Sequence, residues 1–249
     1  MTIILQDFSD LKDEILKMIA FEAELEKESV LYFSNIDSTQ LLPCLKSSII
    51  LMLYNAVEST CTKCLSKIHE TVRNKKVKFS ELNDELKKIV LAYYDKAIDS
   101  QKSSNDFSTK INYELSKINM VLDNENFLLT FDKMSEFYSL YSGNLDAKEI
   151  RTTLKKYDIT FEEKASELHT IKTDRNNLSH GSKTFEDVGR DKSYQQLQVM
   201  AERTFLFLEN MIDAVQTYLD DEGYKKSHTT DAIHSTEVDE SEHQRETIE

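Results

Sequence analysis

The stretch from about residue 41 to 73 most constrains the fold. Between Ile49 and Val57 its residues are apolar nearly all the way round a helical wheel, the pattern of a helix surrounded by other helices. Ser38 and Thr39 stand just before it, and Pro43 falls in the first turn, as is typical of a helix N-terminus. We therefore predict a long central helix.

Turn-forming residues are scarce, which favours helices for the rest of the chain. Only 4 glycines and 1 proline occur in 249 residues, whereas sheets need many turns. Apolar residues at helical spacing and capping signals predict further helices over residues 8–33, 80–100, 109–119, 125–141, 146–157, 160–173 and 192–218. Residues 101–108 are predicted to form a polar loop. The fold class predicted is an all-α helical bundle.

Acidic residues are concentrated at the C-terminus. Residues 220–249 hold ten acids and three bases, which is half of the net charge of −14. Because apolar residues are almost missing after Gly223, we predict a helical domain over 1–222 and a disordered acidic tail over 223–249. Such a tail is typically a solubilising segment, with partner binding or autoinhibition as the alternative. Residues 148–192, in contrast, carry ten bases and nine acids, so the acidic total does not exclude RNA.

Compartment and cofactors follow from two further features. The longest apolar run, residues 49–54, is too short to span a bilayer, and the N-terminus lacks the pattern of a signal peptide. A cytoplasmic protein is therefore expected, with no membrane partner. The chain has three cysteines, Cys44, Cys61 and Cys64. Cys61 and Cys64 have a redox or zinc spacing, but they fall within a helical pattern, with no second ligand pair nearby. We interpret them as buried helix cysteines and predict neither metal nor cofactor.

Residues 174–185 carry the most informative chemistry. Arg175 and His180 are separated by four residues, Asn176 follows the arginine and Gly181 follows the histidine. Histidine can move a proton near neutral pH and a guanidinium can hold a phosphate, so the pair is suited to phosphodiester chemistry without a metal. The spacing alone is a weak motif. The surrounding residues strengthen the motif, because the segment is predicted to be a short polar interruption before a long helix.

A purely structural interpretation stands beside this one. Arg175 would then pair with Asp174 or Glu58, and His180 would end a helix beside a Gly181 cap. The histidines at 69 and 169 lack ligand spacing and are predicted to be structural.

Two stretches resemble a known family. Arg175-Asn176-x-Leu178-x-His180-Gly181, followed by Phe185, resembles the Arg-x(4–6)-His motif of the HEPN superfamily, with Asn176 as the polar residue that the motif places after its arginine. Leu51-Met-Leu-Tyr54-Asn55-Ala-Val-Glu58-Ser-Thr resembles the long central helix of the bacterial MAE-type branch. HEPN proteins are helical domains, and many are metal-independent ribonucleases. The helix order is similar over most of residues 1–220.

The resemblance implies a bundle that forms a homodimer, in which both copies of the motif meet at one cleft. His180 would act as general base or acid for attack of an RNA 2′-hydroxyl on the adjacent phosphate, which gives a 2′,3′-cyclic phosphate. Arg175 would stabilise the phosphate charge, and Asn176 would position Arg175 or the phosphate. Proteins of this type are implied to be toxins or antiphage-defence effectors, often held inactive by a partner such as an antitoxin.

Further candidates surround the motif. Tyr54 and Glu58 share a helix face at i, i+4 and are candidates for lining the cleft, where Glu58 would orient His180 or pair with Arg175. They equally suit an internally satisfied polar pair. Candidate phosphate contacts are Lys172, Lys183, Arg190 and Lys192. Because other bases are few, a non-catalytic helical module that binds a protein partner or a nucleotide remains the alternative function.

Overall fold

The computed structural model describes residues 1–28, 38–100, 107–122 and 143–226. Its elements in chain order are α1 (Thr2–Glu28), α2 (Ser38–Asn74), a 3₁₀ helix (Phe79–Glu81), α3 (Asp84–Ser100), α4 (Phe107–Leu122), α5 (Ala147–Lys155), α6 (Glu167–Ser179), α7 (Phe185–Arg190) and α8 (Tyr194–Asp220). No strand occurs in these ranges, where one isolated bridge joins Leu82 to Lys225. The prediction of an all-α bundle is confirmed.

Helix α2 is the centre of the fold, as predicted. Ile49, Ile50 and Leu53 have no solvent exposure, because α1, α6, α7 and α8 all pack against this helix. Helices α1 and α8 also contact each other, for example through an edge-to-face pair of Phe8 and Phe205 with ring centroids 6.2 Å apart. Each buried side chain of this size stabilises the fold by about 1.5–3 kcal/mol. The helix therefore provides a rigid base for whatever packs on it.

Two predicted helices begin later than the sequence suggested. The helix expected from residue 80 is interrupted after the 3₁₀ turn and restarts as α3, where the Asn83 side chain accepts a hydrogen bond from the Leu86 amide at 2.8 Å. The helix expected from residue 160 begins at Glu167 instead. The preceding residues are held by tertiary contacts, since the Phe161 ring packs on Phe207 and the Glu163 carbonyl accepts from Arg151 at 2.7 Å.

The segment around Arg175 was predicted wrongly as an interruption between helices. Helix α6 continues through it to Ser179, and the short helix α7 follows before α8 begins. Arg175 therefore occupies a rigid helical position near the end of α6. The predicted helix over 125–141, the end of the first predicted helix and most of the loop over 101–108 lie outside the described residues. Helix α4 begins at Phe107, inside that predicted loop.

The packed chain continues through Lys226, a few residues beyond the expected start of the tail. Tyr224 is fully buried and meets Tyr218 edge-on, with ring centroids 6.3 Å apart. The Asn83 amide donates to the Tyr224 carbonyl at 2.9 Å, and the Lys226 amide donates to the Glu81 carbonyl at 2.8 Å. Residues 223–226 are thus part of the folded domain. The rest of the expected tail, 227–249, lies outside the described residues.

One helix in the described ranges is long and apolar enough to cross a membrane by length and composition, the Leu41–Asn74 part of α2. Half of its most apolar window is buried inside the fold. The core helix of a soluble bundle has the same properties, and the packing of α2 against four other helices is consistent with that role.

Candidate functional site

Helix α6 holds the motif against the central helix. Leu168, Ile171 and Asp174 are buried on its inner face, which fixes the rotation of the helix. Arg175 follows on the adjoining flank and is half-buried, whereas His180 lies at the C-terminal end and is exposed. The two motif residues therefore sit in different environments of one helix.

The Arg175 guanidinium is stacked on an aromatic ring. Its central carbon lies 4.5 Å from the centroid of Tyr54, a cation–π contact. Tyr54 is 1% exposed, and its hydroxyl donates to the Gly143 carbonyl at 3.0 Å and accepts from the Leu145 amide at 3.4 Å. Burial raises the pKa of Tyr54, although the Leu145 amide and the Arg175 charge oppose that shift. The phenol therefore remains a protonated donor at neutral pH.

Asn176 links Arg175 to a distant residue. Its carbonyl oxygen accepts from Arg175 Nη1 at 3.1 Å, and its amide nitrogen donates to Asn144 Oδ1 at 3.0 Å. Both ends of the Asn176 side chain are thus engaged in directional bonds. Tyr54 and Asn176 together hold the guanidinium on its face and at its edge, and no carboxylate of the described part of the chain pairs with it.

His180 and Gly181 end helix α6. The His180 amide donates to the Asn176 carbonyl at 3.0 Å, and Gly181 takes the left-handed conformation, with φ +66°. The Ser182 amide then donates to the Asn177 carbonyl at 2.9 Å. This is the glycine cap of the structural interpretation. A side chain at residue 181 would be strained by its backbone conformation alone, although no atom lies within 4 Å of the added Cβ.

Helix geometry separates the two motif side chains. Residues five apart on an α-helix are about 140° apart in projection, so Arg175 and His180 leave α6 in different directions. Within the described residues no hydrogen bond or ion pair joins them. A single chain thus does not bring the pair together on one helix face.

Glu58 pairs with neither Arg175 nor His180 within the described residues of one chain. It lies one turn after Tyr54 on α2 and is half-buried. The negative charge of Glu58 acts on Tyr54 and contributes to the raised pKa of its phenol. Arg175 is engaged by the ring and by Asn176 instead.

Most of the candidate phosphate contacts are already paired with acids. Lys172 contacts Asp146, Arg190 contacts Glu186, and Lys192 Nζ lies 3.0 Å from Asp174 Oδ2. Asp174 therefore pairs with Lys192 rather than with Arg175, contrary to the structural interpretation of the sequence. Lys183 is exposed and has no ion pair among the described residues.

Cys61, Cys64 and His69 lie elsewhere on α2 and are sequestered, whereas Cys44 is partly exposed. Cys61 and Cys64 have no exposure, and burial raises both thiol pKa values, that of Cys64 to about 12. His69 is 1% exposed, its Nε2 lies 2.7 Å from the Tyr157 hydroxyl, and burial lowers its pKa to about 3. His169 is exposed, with Nδ1 3.7 Å from Asp146. In the described ranges no three His, Cys, Asp or Glu side chains are grouped to hold a metal.

The fold and the motif together define a class, an all-α bundle with an Arg–His motif on a helix that packs against a buried central helix. The family model described as HEPN_MAE_28990-like HEPN matches residues 2–224. The chain therefore belongs to this HEPN family, and the resemblance seen in the sequence is confirmed. No curated protein and no solved structure gives a significant match.

The sequence did not reveal the contribution of residues 143–146. Asn144 bonds Asn176 and Asp146 contacts Lys172, yet they stand 32 and 26 positions before these partners in the sequence. The Tyr54–Arg175 stack was not predicted either, although both residues were candidates. Each contact depends on how separate elements pack, which local patterns do not report.

Proposed function

We propose that the protein is a metal-independent endoribonuclease that acts as a homodimer. The observation that carries this proposal is the state of Arg175. It lies in the family motif, it is half-buried, and its contacts among the described residues are an aromatic face and a neutral amide rather than a carboxylate. A guanidinium held in this way keeps its charge for an anion, since no acid in the described ranges pairs with it.

The proposed reaction is an internal transfer at phosphorus. The ribose 2′-oxygen forms a bond to the adjacent phosphorus as a base removes its proton, and the bond from phosphorus to the 5′-oxygen breaks. The 5′-oxygen leaves with a proton from a general acid, so the products are a 2′,3′-cyclic phosphate and a 5′-hydroxyl. Arg175 stabilises the negative charge that develops on the phosphoryl oxygens. His180 moves the protons.

A second copy of the chain accounts for the two proton transfers. One imidazole does not conveniently serve as base and acid in the same step, and a two-fold dimer supplies two. The exposed position of His180 supports this arrangement, because it leaves the ring accessible to a partner. In this proposal Asn176 holds Arg175, and Tyr54 and Glu58 line the cleft. Among the candidate phosphate contacts, Lys183 can bind a phosphate without first leaving an acid partner of the described residues.

We extend the proposal to the biological setting. The family resemblance implies a toxin or antiphage-defence effector restrained by a partner protein, with the acidic residues after 226 as a candidate part of that restraint. Induction in a bacterial host should then arrest growth, and His180→Ala should remove the arrest. Arrest by the His180→Ala protein at equal expression would contradict this role.

The test of the reaction is cleavage in a chelator. Purified protein is incubated with total RNA in EDTA, and the new ends are analysed. We expect 2′,3′-cyclic phosphate and 5′-hydroxyl ends, because neither proposed proton transfer uses a metal. Cleavage that needs added Mg²⁺, or that leaves 5′-phosphate ends, would contradict the proposed chemistry.

A non-catalytic module is the second candidate, and one observation favours it. Lys172, Arg190 and Lys192 are all paired with carboxylates, which lowers the positive charge that an RNA-binding surface needs. If the protein binds a partner protein or a nucleotide with measurable affinity and cuts no RNA in EDTA or in Mg²⁺, it is a non-catalytic binding module and not a ribonuclease.

A further inference from the structure

A short segment that precedes α5 lies directly against the Arg175 site. We call residues 143–146 the anchor segment. From the side of α2, the Tyr54 hydroxyl bonds the Gly143 carbonyl at 3.0 Å and the Leu145 amide at 3.4 Å. Leu145 is 1% exposed, so the segment is also fixed in the core. Tyr54 thus contacts the anchor segment with its hydroxyl and Arg175 with its ring.

Helix α6 holds the same segment from the other side. Lys172 contacts Asp146, and Asn176 Nδ2 donates to Asn144 Oδ1 at 3.0 Å. Lys172 and Asn176 are one turn apart, so they face the segment together. Asp146 also caps α5 by accepting from the Glu149 amide at 2.9 Å. The anchor segment therefore has a defined position relative to both helices of the site.

This position determines how Asn176 presents its amide. The Asn176 oxygen can accept from Arg175 only while the amide nitrogen points away from Arg175. Asn144 Oδ1 stabilises that orientation because it accepts a hydrogen bond from the amide nitrogen. If the acceptor is removed, the amide is free to turn over. Its NH₂ group would then face the guanidinium, donor against donor, and the bond to Arg175 would be lost.

We propose that Asn144 is a positioning residue for Arg175. Through Asn176 it keeps the guanidinium in one orientation on the face of Tyr54. Its effect on cleavage rests on the proposed ribonuclease function, whereas its effect on the orientation of Arg175 does not.

The test compares two substitutions at one position. Asn144→Asp keeps an oxygen acceptor in the same place, and Asn144→Leu has a similar size but no acceptor. Asn177→Leu is the matched control. Asn177 follows Asn176 on α6 and is half-buried, and among the described residues its side chain makes no bond to Arg175. Thermal unfolding of each variant is measured to check that the fold is retained.

The first readout is NMR of arginine-labelled protein, with the Arg175 signals assigned by Arg175→Lys. In the wild type the stack on Tyr54 should shift the Arg175 side-chain protons upfield. We expect Asn144→Leu to lose this shift, and Asn144→Asp and Asn177→Leu to keep it. Unchanged Arg175 signals in Asn144→Leu would overturn the proposal, and so would equal loss in Asn144→Asp.

The second readout is cleavage kinetics. For Asn144→Leu we expect kcat to fall about 10–100-fold, the scale of a misplaced catalytic group, with little change in KM and recovery in Asn144→Asp. Wild-type kcat in an Asn144→Leu protein with a disturbed Arg175 signal would overturn the positioning role in catalysis. If the wild type cuts no RNA, the proposed function fails, and the NMR comparison alone still decides whether Asn144 orients Arg175.

Discussion

Helix α2 carries two groups of reactive side chains, and the structure gives them opposite environments. Cys61, Cys64 and His69 are sealed in the core, with pKa values that keep all three neutral. Tyr54 is equally buried, but its ring faces the half-buried Arg175 and its hydroxyl bonds the anchor segment. The Cys-x-x-Cys of the first group has the more familiar functional spacing. Access and partners, rather than residue type, distinguish the sealed side chains from the candidate site.

The largest expected effect is on the motif itself. Replacing His180 or Arg175 with alanine should lower the rate of RNA cleavage by about 10²–10⁴-fold, because in the proposed reaction His180 carries the protons and Arg175 stabilises the developing charge. Gel-based cleavage assays in EDTA measure this directly. His169→Ala is the matched control, as an exposed histidine on the same helix. Equal activity of His180→Ala and His169→Ala would remove His180 from the site.

The sealed region should instead control stability. The folded state keeps His69 neutral by lowering its pKa from 6.5 to about 3, so the unfolded chain binds the extra proton below about pH 6.5. Stability from this group is present above pH 6.5 and is lost as the pH falls towards 3. Between pH 7 and 5 the free energy of unfolding of the wild type should fall by roughly 2 kcal/mol more than that of His69→Phe. Urea unfolding at the two pH values tests this, and parallel losses in both proteins would contradict it.

A pair of tyrosines compares the two regions with the same chemical change. Tyr54→Phe and Tyr157→Phe each remove one buried hydroxyl, which bonds the anchor segment in the first case and His69 in the second. Both should destabilise the protein by about 1 kcal/mol. Only Tyr54→Phe should also slow RNA cleavage, because only the Tyr54 hydroxyl fixes the anchor segment, whose Asn144 holds Asn176 and through it Arg175. A similar loss of activity in both variants would mean that stability, not the site, sets the rate.

The smallest expected effect is on activity after loss of the buried thiols. The double variant Cys61→Ala, Cys64→Ala should cleave RNA at the wild-type rate, since both thiols are fully buried and protonated. A thiol reagent should label only the partly exposed Cys44 in the native protein and all three cysteines after unfolding. Rapid native labelling of Cys61 or Cys64 would show that the region is open.

Local patterns predicted the helices that are strongly periodic and missed what tertiary contacts impose. The apolar run around Ile49 predicted α2 because burial on every side leaves a signature along the chain. The late start of α6 at Glu167 was missed because Phe161 and Glu163 are held by residues of other helices. A capping signal at residue 160 cannot report such contacts.

The candidate site shows the same division. The motif spacing identified Arg175, Asn176 and His180, and the family match supports the comparison on which they rest. Asn176 was expected to position Arg175, and the structure shows that bond. The other contacts around Arg175 were found only in three dimensions. Tyr54 was suggested for the cleft without its stacking role, and Asn144 was missed, because an isolated asparagine carries no pattern of its own.

The most direct test of the central claim uses an RNA oligonucleotide that the wild type cuts in EDTA. A second oligonucleotide differs only by a 2′-deoxyribose at the cut position. If the 2′-hydroxyl is the nucleophile and His180 moves its proton, the deoxy substrate should remain uncut at that position, while the unmodified substrate yields a 2′,3′-cyclic phosphate. Equal cleavage of the two substrates at that position would contradict the account.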